Sequence, residues 1–115
     1  MKNNDLLPKV SRELVTKRTD LAPEIMDAWN TFSKVVFKDG ALPEKTKQLI
    51  AVAVAHVTQC PYCIRSHTKA AMRKGASKEE VMEAIWVASE MRAGGAYAHS
   101  LIAIDEMEKE QPEGK

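Results

Sequence analysis

The chain has 115 residues, the size of one small domain with a modest core. Its 17 basic and 16 acidic residues give a net charge of +1, so composition shows no preference for nucleic acid or membranes. No stretch is apolar for the length of a membrane span, and Met1–Asp5 lacks the apolar run of a signal peptide. Both points favour the cytoplasm, where a cysteine pair is usually catalytic or metal-binding.

Apolar residues recur at helical spacing along almost the whole chain, and strand-like alternation is nearly absent. A short helix is expected at about residues 9–17. The next helix is predicted to open at Pro23-Glu24 and to close near Asp39-Gly40. Its apolar residues share one face, so we expect an amphipathic helix; they are Ile25, Ala28, Trp29, Phe32, Val35 and Val36.

A third helix is predicted to open at Pro43-Glu44. Almost every residue from 49 to 57 is apolar, and a helix that is apolar all round is usually buried on all sides. We therefore expect this helix to be central. Pro61 suits the first position of a fourth helix, which would run to about Lys74 before Gly75 ends it.

Two further helices are predicted in the last third of the chain. Ser77-Lys78-Glu79-Glu80 has the pattern of a capping box, and it starts a helix with a buried stripe of Val81, Ala84, Ile85 and Ala88. Gly94-Gly95 is predicted to break or bend the chain before a sixth helix and a frayed tail over residues 108–115. The sequence thus predicts an all-α fold of about six helices in a single domain spanning residues 1–115.

The only two cysteines lie in the segment Cys60-Pro61-Tyr62-Cys63-Ile64-Arg65-Ser66-His67. With Pro61 as the first helical residue, Cys60 is the N-cap and Cys63 lies in the first turn, where unpaired N–H groups and the helix dipole favour a thiolate. His67 lies one turn beyond Cys63 on the same face. We therefore expect Cys63 to be the nucleophile, His67 its base or hydrogen-bond partner, and Cys60 the resolving thiol. The opposite order of the two cysteines stays open, because an N-cap side chain also meets the exposed amides.

Other interpretations of the pair are less well supported. The two cysteines and the nearby histidine could bind zinc, but zinc usually needs a fourth ligand or a water, and His56 or His99 would have to fold in. Haem attachment needs a histidine directly after the second cysteine, where this chain has Ile64. A thioredoxin-like domain would need a βαβ pattern that is missing. Two buried structural cysteines remain an alternative.

The chain resembles the carboxymuconolactone decarboxylase superfamily, and specifically its alkylhydroperoxidase D-like branch, over about residues 29–100. The resemblance rests on the cysteine motif with His67, on the segment 42–51 that begins Leu42-Pro43-Glu44, and on the segments 69–71, 75–80 and 88–95. It implies an all-α fold that forms homotrimers or homohexamers. It also implies peroxide reduction in which Cys63 attacks and becomes a sulfenic acid, and Cys60 donates a proton and closes a disulfide.

The resemblance implies no metal and no organic cofactor, and it implies an external dithiol reductant such as a lipoyl-bearing protein. Two positions depart from the family pattern. Gln48 stands where the proton relay often has a glutamate, and Tyr62 stands where a histidine often lies between the cysteines. Gln48 and His56 are therefore the candidate relay residues of this chain, and His99 is expected to be structural.

Two rival functions remain. The decarboxylase branch acts on a lactone acid without the cysteine pair, and Arg92 is the one candidate cation for its substrate carboxylates. A redox sensor or binding module would form the disulfide without turnover.

Overall fold

A computed structural model describes residues 6–111, and these residues form five α-helices with no strand among them. The segment Met1–Asp5 and the end of the predicted frayed tail, residues 112–115, lie outside the described residues. The described chain divides into two compact units, one up to Lys38 and one from Asp39 onward. The prediction of a single domain stays a prediction. None of the described helices is both long and apolar enough to cross a membrane.

The first unit contains α1 (Arg12–Leu21) and α2 (Pro23–Phe37). Helix α1 starts later than the expected residue 9, because the Ser11 side chain accepts a hydrogen bond from the Leu14 N–H and so caps the helix at Arg12. Helix α2 begins at Pro23 as predicted, and its aromatic rings Trp29 and Phe32 lie 5.8 Å apart in a tilted arrangement.

The second unit contains α3 (Glu44–Thr58), α4 (Pro61–Arg73) and α5 (Lys78–Glu110). Helix α3 packs against both α4 and α5. The core of this unit is small and is formed by side chains from all three helices and the loop before α5, namely Val52, Ala71, Ala76 and Val81, with Leu49 and Ile85 packed against them. The core contains alanines at the contacts, so the helix backbones can approach closely there.

Local signals end α4 and start α5 as the sequence predicts. Gly75 has a φ of +98°, a conformation that other residues adopt only with strain. The Ser77 Oγ accepts from the Glu80 N–H at 3.0 Å, and the Ser77 N–H donates to Glu80 Oε1 at 2.8 Å. The capping box is thus complete on both sides and fixes the first residue of α5.

Two expectations about the last third of the chain are wrong. The chain does not break at Gly94-Gly95, because α5 runs without interruption for 33 residues, so the described chain has five helices rather than six. A helical glycine costs only about 1 kcal/mol relative to alanine, which the good helix formers on both sides can offset. The predicted frayed tail is likewise helical as far as Glu110.

Helix α3 is not buried on all sides. Val52 is fully buried, but Ile50 and Val54 on the other face are each about half exposed, at 48% and 51%. The apolar run extends around the helix, whereas α4 and α5 cover only part of its circumference. The all-α class itself is confirmed.

The continuity of α5 predicts the effect of alanine at its glycines. A Cβ at Gly95 would meet no atom within 4 Å, so Gly95→Ala should raise the free energy of unfolding by about 1 kcal/mol. Gly75→Ala is the matched control, and it should lower stability by about 1 kcal/mol because its φ is positive. Urea unfolding at one protein concentration measures both. Loss of stability in Gly95→Ala would contradict a continuous helix.

Candidate dithiol site

The site begins in the two-residue link between α3 and α4. Helix α3 ends at Thr58, and Gln59 adopts a left-handed conformation with a φ of 59°. This turn lets the Cys60 N–H bond back to the Ala55 carbonyl oxygen at 3.1 Å. Cys60 is therefore held at the junction as the N-cap of α4, and Pro61 supplies the first helical residue as predicted.

The two thiols meet at this helix start. The Cys60 Sγ accepts a hydrogen bond from the Cys63 N–H at 3.3 Å, and the Cys60 and Cys63 Sγ atoms lie 2.7 Å apart, so that either thiol can donate to the other when that one is ionised. Both cysteines are free and partly buried. A disulfide bond is about 2.05 Å long, so only a small movement separates the dithiol from the bridged form.

The hydrogen bonds make the two thiols unequal. The Cys63 Sγ–H and then the N–H groups of Cys63 and Tyr62 stabilise a charge on Cys60 and lower the pKa of Cys60, although burial opposes this. The pKa of Cys63 is raised, because its proton is held by Cys60 and because burial and the Cys60 charge disfavour a second thiolate. These directions favour Cys60 as the thiol that loses its proton first, an order that the sequence left open. That Cys63 attacks the substrate stays a prediction.

A second pair links α4 to α3. The His67 Nδ1 lies 2.7 Å from Gln48 Oε1, which can only accept, so Nδ1 carries the proton and donates it. Gln48 is 6% exposed and is the one buried polar side chain in the described part of the chain. Burial lowers the pKa of His67, which favours the neutral imidazole. In this tautomer the Nε2 lone pair is the basic atom of the ring.

His56 and Arg92, which the sequence also singled out, each donate a hydrogen bond to a backbone carbonyl oxygen of α3. The His56 Nδ1 donates to the Val52 carbonyl oxygen at 2.7 Å within its own helix. Arg92, the candidate for substrate carboxylates, donates from Nη1 to the Val57 carbonyl oxygen at 2.8 Å and so ties α5 to the end of α3. His99 is exposed on α5. The relay role of His56 stays a prediction.

Between residues 6 and 111, no three histidine, cysteine or acidic side chains come together in a way that could hold a metal ion. The zinc alternative would need such a group. The dithiol at the start of α4 and the His67–Gln48 pair between α4 and α3 are two polar side-chain pairs of the second unit.

Sequence reasoning named Gln48 and His67 but missed that they pair. Nineteen residues separate them, and no local pattern reports a contact between two helices at that distance. It also missed the left-handed turn at Gln59, for which the usual signal is glycine or asparagine.

The order of the two thiol pKa values predicts which cysteine reacts first with an alkylating agent. At neutral pH, iodoacetamide should modify Cys60 before Cys63 in the reduced protein, as followed by peptide mass spectrometry. Cys63→Ala should raise the pKa of Cys60, because the Sγ–H donor is lost. Cys60→Ala should lower the pKa of Cys63, since it removes the neighbouring charge. Preferential alkylation of Cys63 in the native pair would contradict this electrostatic order.

The His67–Gln48 hydrogen bond predicts the titration of His67. Gln48→Glu should raise the pKa of His67, because a buried carboxylate stabilises the imidazolium. Long-range ¹H–¹⁵N NMR correlation spectra over a pH series measure both the pKa and the tautomer. Gln111→Glu is the control, with the same charge change on an exposed residue. A His67 with its proton on Nε2, or an unchanged pKa in Gln48→Glu, would contradict the pairing.

Comparison with known proteins agrees with this architecture. The chain is 57% identical over 105 residues to uncharacterized protein 4 in the cox locus of Paracoccus denitrificans, which covers 89% of this chain and 94% of that protein. An uncharacterized protein of Cupriavidus necator is 39% identical over 83 residues, covering 70% of this chain and 74% of that protein.

Solved structures show the same fold. A carboxymuconolactone decarboxylase family protein of Legionella pneumophila, in its apo form, superposes with a TM-score of 0.67 and 33% identity, covering 84% of this chain and 87% of that chain. A Thermotoga maritima family member, for which a part in an antioxidative response has been suggested, gives 0.53 and 26% over 70% of this chain and 93% of that chain. The family pattern itself matches residues 23–106. The chain therefore belongs to the carboxymuconolactone decarboxylase family.

Proposed function

We propose that this protein is a thiol peroxidase that reduces hydroperoxides through the Cys60–Cys63 pair. The observation that carries the proposal is the 2.7 Å separation of the Cys60 and Cys63 Sγ atoms, which is short enough for the pair to share one proton. This arrangement supplies a base, an acid and a second thiol within one helical turn. The antioxidative role suggested for the Thermotoga maritima relative adds support.

The shared proton lets either thiol become the thiolate. In the first step, the Cys60 thiolate accepts the proton of Cys63, and the Cys63 thiolate attacks the terminal oxygen of the hydroperoxide. The O–O bond breaks, Cys63 becomes a sulfenic acid, and the Cys60 thiol gives its proton to the leaving alkoxide. The products of this step are an alcohol and an oxidised Cys63 beside a Cys60 thiolate.

In the second step, the Cys60 thiolate attacks the Cys63 sulfur and displaces hydroxide, which takes a proton from solvent to form water. The disulfide closes, and the two electrons lost by the two sulfurs have reduced the peroxide. A dithiol from outside the chain must then restore the pair, and the family resemblance points to a lipoyl-bearing protein. A reducing compartment such as the cytoplasm would keep the resting pair in the dithiol form.

Steady-state consumption of an organic hydroperoxide in the presence of dithiothreitol tests the proposal. Cys63→Ser should abolish turnover. In a separate assay without dithiothreitol, Cys60→Ser should consume one equivalent of hydroperoxide and stop at a sulfenic acid that dimedone traps on Cys63. Asp20→Asn is the control and should keep the rate of the unmodified protein, because Asp20 is an exposed residue of α1. Full turnover in both serine variants would overturn the proposal. Trapping of the sulfenic acid on Cys60 in Cys63→Ser would reverse the two roles.

We also propose that the active form is a homotrimer or homohexamer. Large apolar side chains of α5 lie exposed in the single chain, with Trp86 at 65%, Tyr97 at 83% and Leu101 at 70%. Exposed apolar surface of this kind marks an interface. Because α5 extends well beyond its last buried residue, Ala88, a second copy could cover this surface.

Analytical ultracentrifugation should give three or six times the 12.8 kDa mass of one chain. Leu101→Lys should shift the distribution towards the single chain by placing a charge in the interface. Lys109→Gln, at the exposed end of the same helix, is the control and should leave the mass unchanged. A single-chain mass for the unmodified protein at micromolar concentration would contradict the proposal.

A further inference from the structure

Helix α4 carries three exposed basic side chains and no acidic residue. They occur at every fourth position and therefore lie along one side of the helix. We call this row the basic stripe; it consists of Arg65, Lys69 and Arg73. It occupies the solvent face of α4, opposite the side on which Ala71 is buried in the core.

The charges of the basic stripe are not neutralised within the described part of the chain. None of its members forms an ion pair with a residue between 6 and 111, whereas the neighbouring Lys74 pairs with Glu44 and Lys45 pairs with Glu80. The second unit therefore has acidic partners for the lysines beside the stripe and none for the stripe itself.

The helix's own stability does not explain this charge pattern. Acidic residues are favourable in the first turn of a helix, and each of the other four helices has at least one there, whereas α4 has none. Arg73 lies in the last turn of α4, where the helix dipole favours a cation, but Arg65 and Lys69 lie outside that turn. A function of the surface is the better explanation of Arg65 and Lys69.

The stripe begins near the N-terminal end of α4, the end at which the two cysteines lie. From the helical rise of about 1.5 Å per residue, Arg65 lies roughly 7.5 Å along the axis from Cys60, and Arg73 about 12 Å further on. This length exceeds the reach of a small hydroperoxide. It suits a protein surface that places a reactive group at the N-terminus of α4 while its acidic side chains contact the stripe.

We propose that the basic stripe is the docking surface for an acidic dithiol protein that reduces the Cys60–Cys63 disulfide. This inference rests on the proposed function, which produces that disulfide. Charge complementarity indicates that the partner is acidic. Three cations without ion-pair partners attract a surface with several carboxylates and speed its encounter with the site.

The exchange that docking would serve is balanced in electrons and protons. A thiolate of the partner attacks one sulfur of the disulfide, the S–S bond breaks, and the other sulfur leaves as a thiolate. The partner's second thiol then attacks the mixed disulfide, loses its proton to solvent or to the departing sulfur, and closes the partner's own disulfide. Two electrons pass to the Cys60–Cys63 pair, and the partner is oxidised.

Two synthetic peptides test the inference. Both contain a Cys-x-x-Cys dithiol, one flanked by four glutamates and the other by four glutamines, and their reduction of the oxidised protein is followed by intact mass. At low ionic strength the glutamate peptide should react at least tenfold faster than the glutamine peptide, and 0.5 M salt should remove most of that advantage.

Two triple variants test whether the rate advantage of the glutamate peptide depends on the basic stripe. Exchange of the stripe for glutamine, in Arg65→Gln/Lys69→Gln/Arg73→Gln, should bring the rate ratio of the two peptides close to one. The matched control changes the same residue types on exposed positions of α1 and α2, as Arg12→Gln/Arg18→Gln/Lys34→Gln, and should keep the ratio. Uncharged dithiothreitol should reduce the protein and both variants at equal rates, which shows that the disulfide and the fold are intact.

The outcomes separate the two proposals. A ratio near one in the unmodified protein, or a ratio preserved in the stripe variant, overturns the docking surface while the proposed function stands. The stripe variant could instead change the oligomeric mass and leave the rate ratio of the two peptides unchanged. That result would assign the stripe to a contact with a second copy of the chain, and it would also overturn the docking surface. If the unmodified protein forms no disulfide with oxidant, the proposed function fails and the docking surface fails with it.

Discussion

The two-residue link between α3 and α4 is the constraint on which the site depends. A left-handed residue at Gln59 turns the chain, and Cys60 then serves as the N-cap of the next helix. The link places the sulfur of Cys60 against the N–H and the Sγ of Cys63. Helices α3 and α4, which the link joins, pack against each other, and this packing also brings the buried Gln48 to His67. A change in the crossing of these two helices would disturb both pairs at once.

The proposed mechanism assigns the proton transfer to the cysteine pair. In that mechanism the dithiol retains one proton between two sulfurs, so the charge can move from Cys60 to Cys63 without a distant base. Burial lowers the pKa of His67 and favours its neutral form, and its neutral partner Gln48 adds no charge that would compete with the thiolate. A glutamate at position 48 would favour the imidazolium and would change the electrostatic environment of the site. The amide therefore suits a site in which the first proton transfer takes place within the cysteine pair.

Local sequence signals predicted the start of α4 at Pro61, the turn at Gly75 and the capping box of α5, because each depends on residues within one turn. The N-cap position of Cys60 followed from the same rules. The continuity of α5 through Gly94-Gly95 could not be predicted, since a glycine pair weakens a helix by an amount that its neighbours can offset. The Gln48–His67 pair and the half-exposed face of α3 depend on how helices cross, and no pattern in one sequence reports that. The order of the thiol pKa values depends on a 2.7 Å hydrogen bond that spacing alone leaves open.

The central claim is that Cys60 and Cys63 form one reversible redox centre that reacts with peroxide. The most direct measurement is the intact mass and free-thiol count of the reduced protein, followed over time after a single stoichiometric pulse of an organic hydroperoxide. The account predicts rapid loss of both thiols together, a mass decrease of two hydrogens, and an intramolecular disulfide between Cys60 and Cys63. Retention of both thiols over the same time would contradict it and would favour the decarboxylase branch of the family or a structural role for the pair.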